Sequence, residues 1–202
     1  MTIATPVDDI TALILAGGKA RRMDGVDKGL VTLHGRTMVD YIIDALRPQV
    51  GNLIINANRN PEQYGSYGLP VVADILADYP GPLAGIATGM HTTNKPYIVT
   101  APCDSPLIPG TLVETLYRSL DNEQADISVA HDGTRLQPMF ALLRCELLAA
   151  LLAYLDEGGR RADTWYSQQR LAIADFSDRP DIFLNLNSPE DKVALKNRLA
   201  RR

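Results

Sequence analysis

The residues of this chain best placed to do chemistry form one run: Leu15-Ala16-Gly17-Gly18-Lys19-Ala20-Arg21-Arg22-Met23-Asp24-Gly25-Val26-Asp27-Lys28. It continues an apolar stretch, Ile10 to Leu15, that reads as a buried strand. Glycines let the backbone turn sharply there, approach a ligand closely and offer N–H groups to an anion. Arg22 and Lys28 add the positive charge that a polyphosphate requires. Two familiar phosphate loops do not fit. A P-loop needs Ser or Thr after Gly-Lys, and Gly18-Lys19 is followed by Ala20. A dinucleotide fingerprint needs G-x-G-x-x-G, whereas Gly17 and Gly18 are adjacent. A nucleotide site is the leading reading, beside the plainer one of a tight turn with a solvated basic loop.

Other candidates sit at similar strand ends. Asp104, in Pro102-Cys103-Asp104-Ser105-Pro106, suits Mg²⁺, which takes few protein oxygens plus phosphates and water. The same aspartate would also cap a turn between prolines. Asn56 closes Ile54-Ile55-Asn56 and can donate to and accept from a base or ribose, or simply start a turn. Asp74, after Val71-Val72-Ala73, can accept from the paired N–H groups of guanine, or act as an N-cap. Gly81 and Gly85, in Tyr79-Pro80-Gly81-Pro82-Leu83-Ala84-Gly85, would let a flat base approach the main chain at a helix start. Arg160 and Arg161 suit a second phosphate-bearing substrate or a solvated turn. Asn185 and Asn187 would share one face of a short strand, unless Asn187 caps the last helix. Cys103 lacks a neighbouring His and reads as an inert buried thiol. His34, His91 and His131 have no metal-ligand spacing.

The elements that must hold these residues alternate. Strands are expected at 10–16, 52–56, 71–73, 97–101 and 127–131, and helices at 39–46, 83–91, 111–120 and 146–155. That order predicts a parallel sheet wrapped by helices, with 139–143 as an antiparallel interruption. Pro48 should end the first helix and Gly158-Gly159 the one from Glu146. Ser188-Pro189-Glu190-Asp191 reads as an N-cap and acidic first turn for a final helix to about Leu199. In such sheets ligands lie beyond the carboxyl ends of the strands, where Gly17, Asn56, Asp74 and Asp104 converge.

With 202 residues, 46% of them hydrophobic, the chain can bury a substantial core in one domain. A net charge of −4 argues against a general nucleic-acid surface, so phosphate binding must rest on local basic residues. Two cysteines without C-x-x-C spacing suggest neither a disulfide framework nor zinc. The opening residues lack a basic signal-peptide region, and no stretch is long enough to span a membrane. A reducing, cytoplasmic setting is the expectation.

Leu15-Ala16-Gly17-Gly18, Arg22-Met23 and Lys28 resemble the signature of the nucleotidyltransferase family with a Rossmann-like fold. The set Asn56-Ala57-Asn58-Arg59, Asp78 to Gly85, Pro102 to Pro106, His131-Asp132-Gly133 and Asn185 to Glu190 is similar, more narrowly, to the molybdenum cofactor guanylyltransferases. The resemblance runs in family order over nearly the whole chain. It implies a three-layer α/β fold, a mostly parallel central sheet with one antiparallel strand and helices on both faces. It implies GTP bound through Leu15, Ala16, Gly17, Lys28, Asn56, Asp74 and Asp104, with Mg²⁺ on Asp104; the loop geometry adds Gly18, Gly81 and Gly85 to the expected nucleotide site. Lys28, Asp104 and Arg22 would carry catalysis. Arg161, Asn185 and Asn187 would lie toward molybdenum-molybdopterin. Further implied partners are other molybdenum cofactor biosynthesis proteins and recipient molybdoenzymes or their chaperones, with no nucleic acid and no membrane. Asp24 departs from the family's usual Gly, and Ala20 replaces a serine common in the wider superfamily, leaving more to backbone donors. Cytidylyl transfer to the same cofactor, transfer to a sugar or alditol phosphate, a non-catalytic GTP-dependent carrier and a regulatory nucleotide sensor are the rival readings.

Overall fold

The computed structural model describes residues 5–16, 27–76 and 81–200. In chain order the elements are β1 (Ile10–Leu15), β2 (Thr32–Leu33), β3 (Arg36–Thr37), α1 (Met38–Leu46), β4 (Asn52–Asn56), α2 (Pro61–Gly65), β5 (Val71–Val72), α3 (Pro82–Thr92), β6 (Tyr97–Pro102), α4 (Leu112–Asn122), β7 (Ile127–His131), β8 (Leu136–Arg144), α5 (Leu148–Asp156), α6 (Ala162–Tyr166), β9 (Leu171–Asp175) and α7 (Pro189–Leu199). A seven-stranded sheet runs β5-β4-β1-β6-β8-β7-β9, and β2 and β3 form a small hairpin. Every pairing in the large sheet is parallel except the two made by β8. The expected antiparallel interruption is therefore β8, longer at both ends than 139–143.

Side-chain alternation explains the three layers. Ile10, Ala12 and Ile14 of β1 point into a core shared with Val39, Ile42 and Leu46 of α1 and Leu112, Leu116 and Leu120 of α4. Leu13 points the other way, into a core with Leu83, Ile86 and Met90 of α3, Leu151 and Leu155 of α5, and Trp165 of α6. Central strands buried on both faces are the near-continuous apolar runs expected of a parallel sheet.

Helix ends follow local chemistry. Thr37 and Asp40 form a reciprocal capping box on α1, which gives way to a 3₁₀ turn at Arg47–Gln49 around Pro48. Ser188 and Asp191 form the same box on α7, with Pro189 at the first position. Leu195 of α7 packs with Leu33, Met38, Leu107 and Leu186, so the last helix docks on the β2–β3 side.

Four short features were not expected from the sequence: the β2–β3 hairpin, α2, α6 and β9. The hairpin strands have two residues each, and α2 and α6 five each, too few for a periodic signal. In β9 the buried face is made of Ala172 and Ala174 while Ile173 is exposed, so the residues with the strongest strand signal lie on the wrong face. Residues 184–187 form no strand, contrary to the expectation for Asn185 and Asn187. Among the described residues no helix is long and apolar enough to cross a membrane.

Candidate active site

The carboxyl ends of the central strands lie level. Leu15 of β1 stands opposite Asn56 of β4 on one side and Pro102 of β6 on the other. Ala16 N–H donates to Asn56 C=O at 2.8 Å, and Cys103 N–H to Leu15 C=O at 3.1 Å. Two interstrand spacings, about 10 Å, thus separate Asn56 from the segment bearing Asp104. The chain leaves β1 toward β4 on one side and β6 on the other, the switch point at which open α/β sheets bind ligands.

At the β6 end, Lys28 Nζ donates to Asp104 Oδ2 at 2.9 Å and to Asn187 Oδ1 at 2.7 Å. The Lys28 and Asp104 side chains retain 23% and 15% of their exposure. An ion pair this accessible adds about 0–1 kcal/mol to stability, so its value lies in position. The extended segment 185–187 braces Asp104. Leu186 N–H donates to Asp104 C=O at 3.0 Å, and the Ser105 hydroxyl donates to Asn185 Oδ1. Asn187 is not the cap of α7; Ser188 is. The cap's own carboxylate, on Asp191, also accepts from Asn187 N–H, which fixes the asparagine beside Lys28.

At the β4–β5 end, Asn56 is buried. Its Nδ2 donates to Asp74 Oδ1 at 2.8 Å and to Val72 C=O at 3.2 Å. Asn58 grips Asp74 twice: its Nδ2 donates to Asp74 Oδ2, and its Oδ1 accepts from Asp74 N–H, both at 2.8 Å. Among the described residues each Asp74 oxygen accepts one hydrogen bond, and a carboxylate oxygen can accept two. Gly85 of α3 lies directly against this group: a methyl there would stand 2.4 Å from Asn56 Oδ1 and 2.9 Å from the Leu15 side chain. The space that its missing side chain leaves is filled by Asn56, so Gly85 acts beneath the amide rather than as an open platform.

Gly81 begins α3 with φ +151°, a conformation that favours glycine. The nearest atom to a methyl there is Arg160 C=O, at 3.9 Å, so the turn before α6 lies beside the start of α3. Arg161 is exposed and holds Asp163 through two hydrogen bonds. That guanidinium brings the Asp163 carboxyl down to about 2. Gly17, Gly18, Arg22, Ala20, Asp24, Tyr79 and Pro80 lie outside the described residues.

The donor chemistry at Asp104 fits Mg²⁺ held by one carboxylate and completed by phosphates and water. Among the described residues no group of three or more His, Cys, Asp or Glu could hold a metal by itself. The neighbouring Cys103 thiol is buried and pushed above its ordinary range by that burial, then by Asp104 and Asp27, which suits an inert role. A cavity of about 510 Å³ lined by Leu30, Thr37, Glu62, Gln63, Ser66 and Tyr67 opens elsewhere. Its lining carries a carboxylate and no cation, which is unsuited to a polyphosphate.

Sequence reasoning gave Asp27, Asn58, Asn60 and Tyr64 no role. Asn58 carries a signal only in retrospect, two residues past a strand end. Tyr64 and Asn60 belong to the five-residue α2 and its flank, and only the tertiary fold brings them to Asp27.

A level sheet edge with an amide–carboxylate group at one end and a lysine–aspartate pair at the other defines a nucleotidyltransferase type of architecture. Solved structures agree on the fold. One, a molybdopterin-guanine dinucleotide biosynthesis protein A from Archaeoglobus fulgidus, matches with a TM-score of 0.78 at 18% identity, covering 95% of this chain and 100% of that one. A nucleotidyl transferase from Methanothermobacter thermautotroptrophicus matches with a TM-score of 0.75 at 20% identity, covering 95% and 98%. The family model of the MobA-like NTP transferase domain matches residues 12–171. The molybdenum cofactor guanylyltransferase of Shewanella sediminis is 47% identical over 192 residues, 95% of this chain and 98% of its own length. That of Shewanella halifaxensis is 45% identical over 191 residues, 95% and 96%. The chain belongs to the MobA-like NTP transferase family.

Proposed function

We propose that this protein is an enzyme that transfers GMP from GTP to the terminal phosphate of molybdenum-molybdopterin, releasing pyrophosphate and forming the molybdopterin guanine dinucleotide cofactor. A phosphate oxygen of the acceptor forms a bond to the α phosphorus, and the bond from that phosphorus to the bridging oxygen breaks. Its electron pair leaves on pyrophosphate. The attacking phosphate is already anionic at neutral pH, so the reaction calls for alignment and charge neutralisation rather than a strong base. The observation that carries this reading is Lys28 Nζ, held at once by Asp104 and Asn187, 76 and 159 residues further along the chain.

Roles follow from position. Gly17 and Gly18 hold the triphosphate through backbone donors, and Leu15 and Ala16 line the nucleotide at the end of β1. Lys28 and Arg22 neutralise the α phosphate and the departing pyrophosphate. Asn56 accepts through Oδ1, its two N–H donors being already engaged. Asp74 takes the paired N–H groups of guanine on its two carboxylate oxygens, each of which accepts one hydrogen bond from Asn56 or Asn58. It repels the carbonyl edge of uracil. Gly81 lets the start of α3 come close to the base, and Gly85 makes room for the Asn56 amide. Asp104 would hold Mg²⁺ through its carboxylate, and the ion would supply positive charge against the nucleotide phosphates. Arg161, Asn185 and Asn187 face the molybdopterin substrate. The whole chain, 1–202, works as one unit, its N-terminal part binding GTP and its C-terminal part facing the acceptor. Partner biosynthesis proteins and recipient molybdoenzymes or their chaperones deliver and collect the cofactor, in the cytoplasm.

The test is pyrophosphate release from each of GTP, CTP, UTP and ATP in the presence of Mg²⁺ and molybdenum-molybdopterin. Release with GTP alone is expected. Release with CTP alone would replace the reading by a cytidylyltransferase, and equal use of GTP and ATP would remove Asp74 from base choice.

A further inference from the structure

Lysine is a compact charge on a flexible stem, so its use against a phosphate depends on how firmly its backbone is held. Around Lys28 that hold is specific. The carboxylate of Asp27 accepts from Gly29 N–H at 3.2 Å, from the Tyr64 hydroxyl at 2.6 Å and from Asn60 Nδ2 at 2.9 Å. Tyr64 is fully buried in the core cluster that also contains Ile14, Ala57 and Cys103. Gly29 fits under it with no room for a side chain: a methyl would stand 2.4 Å from Tyr64 Oη and 3.2 Å from Cys103 Cβ. Cys103 is the residue before Asp104. The Lys28 turn is therefore tied to a buried phenol and lies against the side chain of Cys103, the neighbour of Asp104.

We propose that Asp27, gripped by Tyr64 and Asn60, is a positioning residue for the transfer reaction: it fixes the turn that aims the Lys28 ammonium at the site beside Asp104. Asp27 touches neither substrate nor metal in this role and acts only through Lys28. Burial, then Cys103 and Asp27, push the Tyr64 phenol well above its ordinary range, so it remains a donor to Asp27 throughout the working pH range. The arrangement also explains the residue types. Asparagine is among the non-glycine residues most tolerant of the left-handed conformation, and Asn60 has φ 50° and ψ 41° at the head of α2. Its side chain is then free to reach Asp27.

The inference rests on the reading of Lys28 as a phosphate-neutralising residue, and the test separates the two. Pyrophosphate release at saturating GTP is measured for Asp27→Ala, Asp27→Asn, Tyr64→Phe, Lys28→Ala and the Asp27→Ala/Lys28→Ala double variant, with thermal unfolding of each. Asp27→Ala is expected to lose at least tenfold in kcat and Tyr64→Phe at least threefold. Asp27→Asn should stay within threefold of the native enzyme, because its oxygen still accepts from Gly29 and Tyr64 while Asn60 turns its amide. In the Lys28→Ala background, Asp27→Ala should cost less than twofold, since residues that act as a unit are not additive. Native kcat in Asp27→Ala, or a tenfold loss that multiplies onto that of Lys28→Ala, would overturn the proposal. Native kcat in Lys28→Ala would sink the reading of Lys28 and this inference with it. Tyr64→Phe removes a single hydroxyl, so it keeps the test decisive if Asp27→Ala does not fold.

Discussion

At the β4–β5 end of the sheet edge, Asn56, Asn58 and Asp74 come from a short stretch of chain, with contacts 16 and 18 residues apart. At the β6 end, Lys28 meets Asp104 across 76 residues and Asn187 across 159. The first group satisfies itself: two amides hold one carboxylate, and a glycine closes over them. The second is partly exposed and held from outside, by α2, by the α7 cap and by the segment 185–187. On the proposed reading the β4–β5 group recognises the base, and such a site can be assembled locally and rigidly. A site where charge must be handed from protein partners to phosphates needs side chains that can be released, and pairs of low intrinsic stability provide that.

The largest effect should come from the β6 end. Lys28→Ala should lower GMP transfer by about 10² to 10³, the scale for removing a preorganised electrostatic group. It should change the unfolding free energy by no more than about 1 kcal/mol, because the pair is accessible. Paired pyrophosphate assays and urea titrations would check this, and a large stability loss would erase the contrast between the two ends. Next, Asp74→Asn should reduce the preference for GTP over ATP by roughly ten- to a hundredfold, the scale of one or two hydrogen bonds to a charged group. Competition between the two nucleotides measures it. Asn58→Ala should move the preference the same way by less, since it loosens Asp74 without removing it.

Gly85→Ala should act as an overpacking change, costing about 1–3 kcal/mol as the methyl displaces Asn56 or Leu15, and should raise KM for GTP. Denaturant melts and steady-state kinetics would read both. Gly29→Ala is its counterpart at the other end. There Tyr64→Phe should partly restore stability, because removing the hydroxyl leaves the next contact, Cys103 Cβ, at 3.2 Å. The smallest effect lies at the far edge of the sheet. Burial pushes the Cys145 thiol up to about 11. An unfolded thiol titrates near about 8.5, so this contribution to stability is complete below that pH and fades as pH rises toward 11. Unfolding free energies from pH 8 to 11 should fall less steeply in Cys145→Ala, with the two ends of the active edge unaffected.

How far the sequence could be read follows the same division between local and distant. Strands β4 and β7 and helix α7 were legible to the residue, because each carries a continuous apolar run or a cap within its own segment. The antiparallel β8 was legible from 139–143 but not from its ends, where half-buried residues break the pattern. Strand ends pointed to Asn56, Asp74 and Asp104, since a polar residue after a buried run is a local signal. The geometry of Asn185 and Asn187 was misread as a strand face, because alternation says nothing of whether a partner strand exists. A glycine such as Gly85 reports that space is needed, not what fills it. Asp27 was visible only as an acid beside a lysine; its partners Asn60 and Tyr64 are 33 and 37 residues away on an element too short to foresee.

The central claim is that Lys28 and Asp104 act at one phosphorus. The most direct measurement is a single-turnover reaction with GTP radiolabelled at the α phosphate, Mg²⁺ and molybdenum-molybdopterin, comparing the native protein with Asp104→Ala. Label should enter the cofactor with the native protein and at least a hundredfold more slowly with a folded Asp104→Ala variant. Equal rates in the two proteins would contradict the account.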